Sequence, residues 1–226
     1  MTDSNARRRS ALQGLYVITD TTRFVRDDLV RAVGEAIDGG ARVVQYRDKS
    51  DDASRRRAEA AALAALCQHH GRTFIVNDDV DLAIDVGADG VHLGRDDQAL
   101  VDARRRFEQA GLDAIVGVSC YADRQRAEHA AAAGADYLAF GAMFPSPTKP
   151  HAPSASAELL AWARERLGLP VCAIGGITAE NIVDLLPYRP DMVAVISEVF
   201  SSTDIRGAAA SLAEQIRHIH DDPETP

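Results

Sequence analysis

Eight short apolar runs recur along the chain, separated by segments with the spacing of helices. They are Leu15-Tyr16-Val17-Ile18, Val43-Val44-Gln45-Tyr46, Thr73-Phe74-Ile75-Val76 and Gly90-Val91-His92-Leu93. The second four are Ile115-Val116-Gly117-Val118, Tyr137-Leu138-Ala139-Phe140, Val171-Cys172-Ala173-Ile174 and Met192-Val193-Ala194-Val195-Ile196. Between them, Leu29, Val33 and Ile37 repeat every four residues, and Leu63 with Leu66 and Leu82 with Val86 do much the same, as on one face of a helix. Gly87-Ala88-Asp89 and Gly134-Ala135-Asp136 each stand between a helical segment and a strand, where Gly ends a helix in a left-handed turn. Gly39-Gly40-Ala41 precedes the second strand in a similar way. Unbroken alternation of strand and helix means parallel strands joined by right-handed crossovers. Eight such units close into a (β/α)8 barrel, a fold that runs to about 250 residues. The competing doubly wound open sheet lacks support, because no Gly-x-Gly-x-x-Gly follows the first strand. The expectation is a single α/β domain, a parallel eight-stranded TIM barrel over residues 12–220. A polar N-terminal extension covers 1–11 and a frayed tail 221–226.

Charge and composition remove several classes of function. Twenty-five Lys and Arg stand against 34 Asp and Glu, a net charge of -9, which argues against a nucleic-acid surface. No apolar run is long enough to span a membrane. Arg7-Arg8-Arg9 precedes only a strand-like stretch, so a secretion signal is not expected. Cys67, Cys120 and Cys172 are scattered without ligand-like spacing, which suits a reducing, cytoplasmic setting.

In such a barrel the chemistry lies at the carboxyl ends of the strands. The third strand ends in Val76-Asn77-Asp78-Asp79, and the fourth is followed by Gly94-Arg95-Asp96-Asp97. Neighbouring strands lie about 5 Å apart, so Asp78 and Asp97 can face one cation. Two carboxylates leave room for phosphate oxygens and water, as Mg2+ prefers. The plainer alternative makes the Asp pair a helix N-cap and a first-turn carboxylate, and Asp79, ahead of Leu82-Ala83, fits the cap. Gln45, Arg47 and Lys49 alternate along the second strand and share one face; they either line the mouth or form a solvated strand end. Ser119 closes the fifth strand, where a lone Ser is more often a helix cap, and Cys120 has no evident partner base. Phe144-Pro145-Ser146-Pro147-Thr148-Lys149-Pro150 is a long loop without helical pattern. It offers two hydroxyls and a cation to a phosphate, or is only a stiff connector. Gly175-Gly176-Ile177-Thr178 and Ile196-Ser197 end the last two strands, where barrels often hold a phosphate on backbone N–H groups. His92 reads as a packed strand residue, and His69, His70, His218 and His220 as surface. The sum suggests two phosphorylated small molecules facing each other, with no strong general base and no covalent nucleophile. That suits departure of a stabilised leaving group, with positioning doing much of the rest.

Gln45-Tyr46-Arg47-Asp48-Lys49, Val76-Asn77-Asp78-Asp79, Gly90-Val91-His92-Leu93-Gly94, Gly117-Val118-Ser119, Thr148-Lys149 and Ile174-Gly175-Gly176-Ile177 together resemble thiamine phosphate synthase. The likeness runs in order from about Leu15 to Phe200. It implies a (β/α)8 transferase that joins hydroxymethylpyrimidine pyrophosphate to a thiazole phosphate. Thiamine phosphate and pyrophosphate are the products. It further implies one Mg2+ on Asp78 and Asp97. Gln45, Arg47, Lys49, Asn77, Ser119 and Lys149 would hold the pyrimidine pyrophosphate, with Arg47, Lys49, Lys149 and Ser119 as the catalytic groups. Ser146, Thr148, Gly176, Ile196 and Ser197 would hold the thiazole phosphate. In the family's mechanism pyrophosphate leaves first and the thiazole nitrogen captures a pyrimidine-methyl cation. The chain departs from the pattern at Ser146, where Thr is more usual, at Ala142, where Pro is, and at Arg189-Pro190-Asp191, which replaces a Gly-Ala-Asp turn. A homo-oligomer is compatible with all of this.

Two rivals remain at this level. A thiazole tautomerase shares the barrel but relies on a histidine two residues past the strand-five Ser, where this chain has Tyr121. A non-catalytic barrel that binds a thiazole or thiamine phosphate would not need the metal carboxylates.

Overall fold

The computed structural model describes residues 10–94, 100–145 and 155–221. Eight parallel strands close into a barrel in sequence order, β1 pairing with β2 on one side and β8 on the other. They are β1 (Gly14–Ile18), β2 (Val43–Tyr46), β3 (Thr73–Asn77), β4 (Gly90–Leu93), β5 (Ile115–Tyr121), β6 (Tyr137–Phe140), β7 (Val171–Ile174) and β8 (Met192–Val195). The helices between them are α1 (Arg26–Asp38), α2 (Ala53–His70), α3 (Val80–Asp85), α4 (Leu100–Gln109), α5 (Arg124–Ala132) and α6 (Glu158–Leu167). A 3-10 segment, Ile182–Tyr188, joins β7 to β8, and α7 (Ser197–Phe200) and α8 (Ile205–Asp221) follow β8. The (β/α)8 barrel expected from the alternation is the fold. α8 continues through Asp221. Ser10 and Ala11 are tied to the barrel floor, their carbonyls accepting from Arg42 and from Thr73 Oγ1.

The alternation of each strand divides the apolar residues into two cores. Leu15, Val17, Val44, Tyr46, Phe74, Val76, Val91, Leu138 and Val193 face outward and pack under Leu29, Val33, Ile37 and Leu63 of the helices. Tyr16, Ile18, Val43, Ile75, Ile115, Tyr137, Ala139, Cys172, Met192 and Ala194 fill the barrel interior. By the same parity Gln45, Asn77, His92, Gly117 and Ser119 belong to the interior face.

The Asp of each Gly-Ala-Asp turn has a task at the barrel floor. Asp89, Asp136 and Asp191 accept the backbone N–H of Phe74, Val116 and Val171 at 2.7, 2.7 and 2.9 Å, each on the preceding strand. Asp191 does this although Arg189-Pro190 replaces the Gly-Ala before it, with Arg189 itself in the left-handed region at φ 48°.

Three consecutive arginines at the start of α2 fan out to three different acids. Arg55 meets Asp48 and Arg56 meets Asp79, each at 2.7 Å, and Arg57 meets Asp85 at 2.8 Å. A run that looks like surface charge therefore braces the ends of β2 and β3 and the last residue of α3.

Candidate active site

The end of β2 is held on both faces. Gln45 is buried inside the barrel, and its Nε2 donates to Tyr16 Oη at 2.6 Å. The Arg47 N–H donates to Thr19 Oγ1 at 2.9 Å, and the Arg47 carbonyl accepts from Thr21 Oγ1 at 3.3 Å. On the outer face Tyr46 Oη donates to buried Glu59 at 2.8 Å. Burial opposes the Asp48 carboxylate, but the Ser50 N–H and Arg55 outweigh it and hold its pKa below the usual range. The strand tip carrying Arg47 and Lys49 is thus braced rather than loosely solvated.

At the end of β3 the two aspartates divide their work. Asp79 is the cap foreseen for α3: its Oδ1 accepts the Leu82 N–H at 2.9 Å while Arg56 holds its Oδ2. Asp78 instead adopts a left-handed backbone, φ 65°, a region that Asp and Asn tolerate better than most residues. Its N–H donates to the His92 carbonyl at 2.8 Å, and its Oδ1 accepts the Gly94 N–H at 3.3 Å. Its Oδ2 receives both Lys49 Nζ and Asn77 Nδ2. Lys49, Asn77 and Asp78 therefore meet at the mouth. A carboxylate is an oxygen ligand of the kind a hard cation takes, but Lys49 Nζ would have to leave Oδ2, and among the described residues no three His, Cys, Asp or Glu side chains gather to hold a metal. Asp97, its expected partner, lies outside the described residues.

Ser119 is not a helix cap; Asp123 caps α5 through the Arg126 N–H at 3.0 Å. Ser119 Oγ instead meets His92 Nε2 at 2.9 Å, and His92 Nδ1 meets Tyr137 Oη at 2.9 Å. Tyr137 Oη lies 3.0 Å from Tyr16 Oη, which completes a chain of contacts back to Gln45. Burial drives the His92 pKa down to about 4, outweighing an upward pull from Asp78, so the ring is neutral at pH 7. Strand register sets His92, Gly117 and Tyr137 side by side. Gly117 is the gap that lets the Tyr137 ring cross β5: a Cβ there would lie 2.0 Å from Tyr137 Cζ. Arg126 ties the neighbouring loops, its Nε donating to the Ser119 carbonyl at 2.7 Å and its Nη2 to that of Gly94 at 3.1 Å. Cys120 is buried, and burial raises its thiol to about 12, which removes it as a nucleophile.

On the far side of the mouth, Gly175 and Gly176 both take positive φ, 101° and 67°. A Cβ on Gly176 would lie 2.4 Å from the Phe144 carbonyl oxygen. The Met143 and Phe144 N–H groups donate to the Ile174 and Gly175 carbonyls, each at 3.0 Å, so the chain after β6 is stitched along the end of β7. Asn181 Nδ2 holds the Gly176 carbonyl at 2.9 Å. Ile196 is half-buried at the end of β8, and Ser197 is exposed as the first residue of α7. Ser146, Thr148 and Lys149 lie outside the described residues.

Residues 15–199 match the family model described as Thiamine monophosphate synthase. The chain belongs to this family. A thiamine-phosphate synthase of Halorhodospira halophila is 52% identical over 206 residues, 91% of this chain and 95% of the relative. One of Nitrosococcus oceani is 49% identical over 202 residues, 89% and 92% of the two chains. Among solved structures, thiamine phosphate pyrophosphorylase from Pyrococcus furiosus superposes with a TM-score of 0.84 at 34% identity, covering 93% of this chain and 98% of that one.

As a member of the thiamine monophosphate synthase family the chain is a transferase of thiamine biosynthesis, as its motifs implied. The sequence reading did not anticipate the links among Tyr16, Tyr137, His92 and Ser119, nor the Arg126 tie. A usable signal was present for the first. Gly90 and His92, like Gly117 and Ser119, are two apart and share one face of their strands, so His92 and Ser119 were bound to project into the same interior.

Proposed function

We propose that this barrel binds the pyrimidine pyrophosphate over β2–β5 and the thiazole phosphate over β6–β8. The convergence of Lys49, Asn77 and Asp78 carries the reading. It joins a cation, an amide and an inward-turned carboxylate at the end of the barrel where chemistry is done. Arg47, Lys49, Lys149 and Ser119 gather the negative charge that grows on the pyrophosphate as its bond to carbon breaks. Gln45 and Asn77 orient the pyrimidine. The thiazole nitrogen then attacks the pyrimidine-methyl cation, and no protein base is required. Ser146, Thr148, Gly176, Ile196 and Ser197 hold the thiazole phosphate. Gly176 is suited to that role because its left-handed backbone turns an N–H without a side chain in the way. Asp78 and Asp97 would hold one Mg2+, which would add a Lewis acid for the pyrophosphate oxygens. The three thiols are free and buried, which fits a cytoplasmic enzyme, and no described helix is long and apolar enough to cross a membrane.

The test mixes both substrates with and without EDTA and measures pyrophosphate and thiamine phosphate. Metal-dependent release of the two products in equal amounts is expected. Asp78→Ala should abolish that turnover and weaken Mn2+ binding, read by electron paramagnetic resonance. Conversion of the thiazole alone, indifferent to metal, would favour the tautomerase. That reading is already disfavoured by Tyr121, which stands in place of the histidine. Unchanged ligand affinity and function in Asp78→Ala would favour a binding barrel.

A further inference from the structure

We infer that Tyr16 and Tyr137 are positioning residues: their hydroxyls form a one-way hydrogen-bond relay across the barrel interior. It holds His92 with its proton on Nε2 and so turns the Ser119 hydroxyl proton toward the substrate. The inference rests on the reading above, in which Gln45 and Ser119 touch the pyrimidine pyrophosphate.

The direction follows from what each atom can donate. An amide nitrogen only donates, so Tyr16 Oη, 2.6 Å from Gln45 Nε2, is the acceptor there. The Tyr16 hydroxyl is buried, and Tyr137 Oη at 3.0 Å is the acceptor we assign to its proton. Tyr137 in turn donates to His92 Nδ1 at 2.9 Å. That nitrogen is then bare, and a neutral imidazole carries its single proton on the other one. His92 Nε2–H donates to Ser119 Oγ at 2.9 Å, and the Ser119 proton is left to point elsewhere.

Chemistry favours this direction over its reverse. A departing pyrophosphate presents only acceptor oxygens and needs donors around it. With the Gln45 amide turned over, every link would invert, and Ser119 would spend its proton on His92. The rings are also fixed in place. Tyr137 stacks on His92 with centroids 5.5 Å apart at 26° and meets Tyr16 edge-on at 6.3 Å. All three side chains are buried, so no bulk water competes for the links.

Two measurements test the relay. The first uses the unmodified protein labelled with 15N-histidine, recording long-range 1H–15N correlations of the rings at pH 7.5. The His92 signal is assigned by its loss in His92→Asn. A protonated Nε2 and a bare Nδ1 are expected; a proton on Nδ1, or on both nitrogens, overturns the inference. The second compares coupling by Tyr137→Phe and Ser119→Ala. Loss of one buried hydrogen bond that acts through Ser119 should lower kcat by about tenfold in Tyr137→Phe. The KM for the thiazole phosphate should not change. Wild-type kcat in Tyr137→Phe alongside an impaired Ser119→Ala overturns the relay alone. Wild-type turnover in Ser119→Ala overturns the site reading and the inference with it. Should Tyr137→Phe fail to fold, the ring spectrum of the unmodified protein still decides.

Discussion

Two neighbouring carboxylates, Asp78 and Asp79, show how one residue's backbone separates structure from chemistry. The cap was legible, because Asp79 stands three residues before Leu82 and its side chain meets that N–H. The turn of Asp78 into the left-handed region was not, because it depends on the His92 and Gly94 backbone of the next strand and loop. His92 was half legible: it is packed as expected, but its bond to Ser119 needs two strands in register. Gly117 is the residue on which that interior depends most. Gly117→Ala puts a methyl group inside the Tyr137 ring, and such overpacking costs about 1–3 kcal/mol or more. We expect the urea midpoint to fall accordingly and coupling to drop with it. A variant of wild-type stability and rate would show that the Tyr137 ring can move aside without consequence.

Turn punctuation between helix and strand was readable at Gly87 and Gly134 because Gly ends helices by a local mechanism, and both take positive φ; Gly71 and Gly168, which were not singled out, do the same. The reason for the Asp that follows two of these turns was not readable, since its partner belongs to the preceding strand. The same logic explains why the Arg189-Pro190-Asp191 departure is harmless: the carboxylate that ties β7 is retained. Asp191→Ala would leave the Val171 N–H without its charged acceptor. Hydrogen bonds to charged groups contribute about 1.5–3 kcal/mol. We therefore expect a loss of that size in urea unfolding, with KM values unaltered because the change lies at the floor, far along the strands from the mouth. Asp191→Asn, which keeps an acceptor oxygen, should recover part of it. Equal losses in both variants would mean that the acceptor oxygen is not what ties β7.

For the whole molecule, eight alternating units were visible in the pattern, and the barrel is what they form. Closure itself rests on β1 pairing with β8, a contact between the two ends of the chain that no local spacing announces. The two cores, inside the barrel and between barrel and helices, also bury thiols and phenols that ionise at high pH. Burial raises Cys67 and Cys120 to about 12 and lifts Cys172, Tyr16 and Tyr137 as well. An unfolded thiol ionises near 8.5. Between those values the unfolded chain holds fewer protons than the folded one, so stability falls as pH rises, by up to about 1.4 kcal/mol per unit for each thiol. We expect the urea midpoint to drop steadily from pH 8.5 to 10.5 and the native protein to resist alkylation at pH 8. A midpoint that stayed level would mean the thiols are open to solvent.

The fan of Arg55, Arg56 and Arg57 bears on how this chain can change over time. Each residue advances a helix by about 100°, so one residue added or lost between the fan and buried Leu63 would swing all three guanidinia off Asp48, Asp79 and Asp85 together. The first turns of α2 are therefore locked in length: an insertion there would cost three ion pairs at once, whereas a substitution costs one.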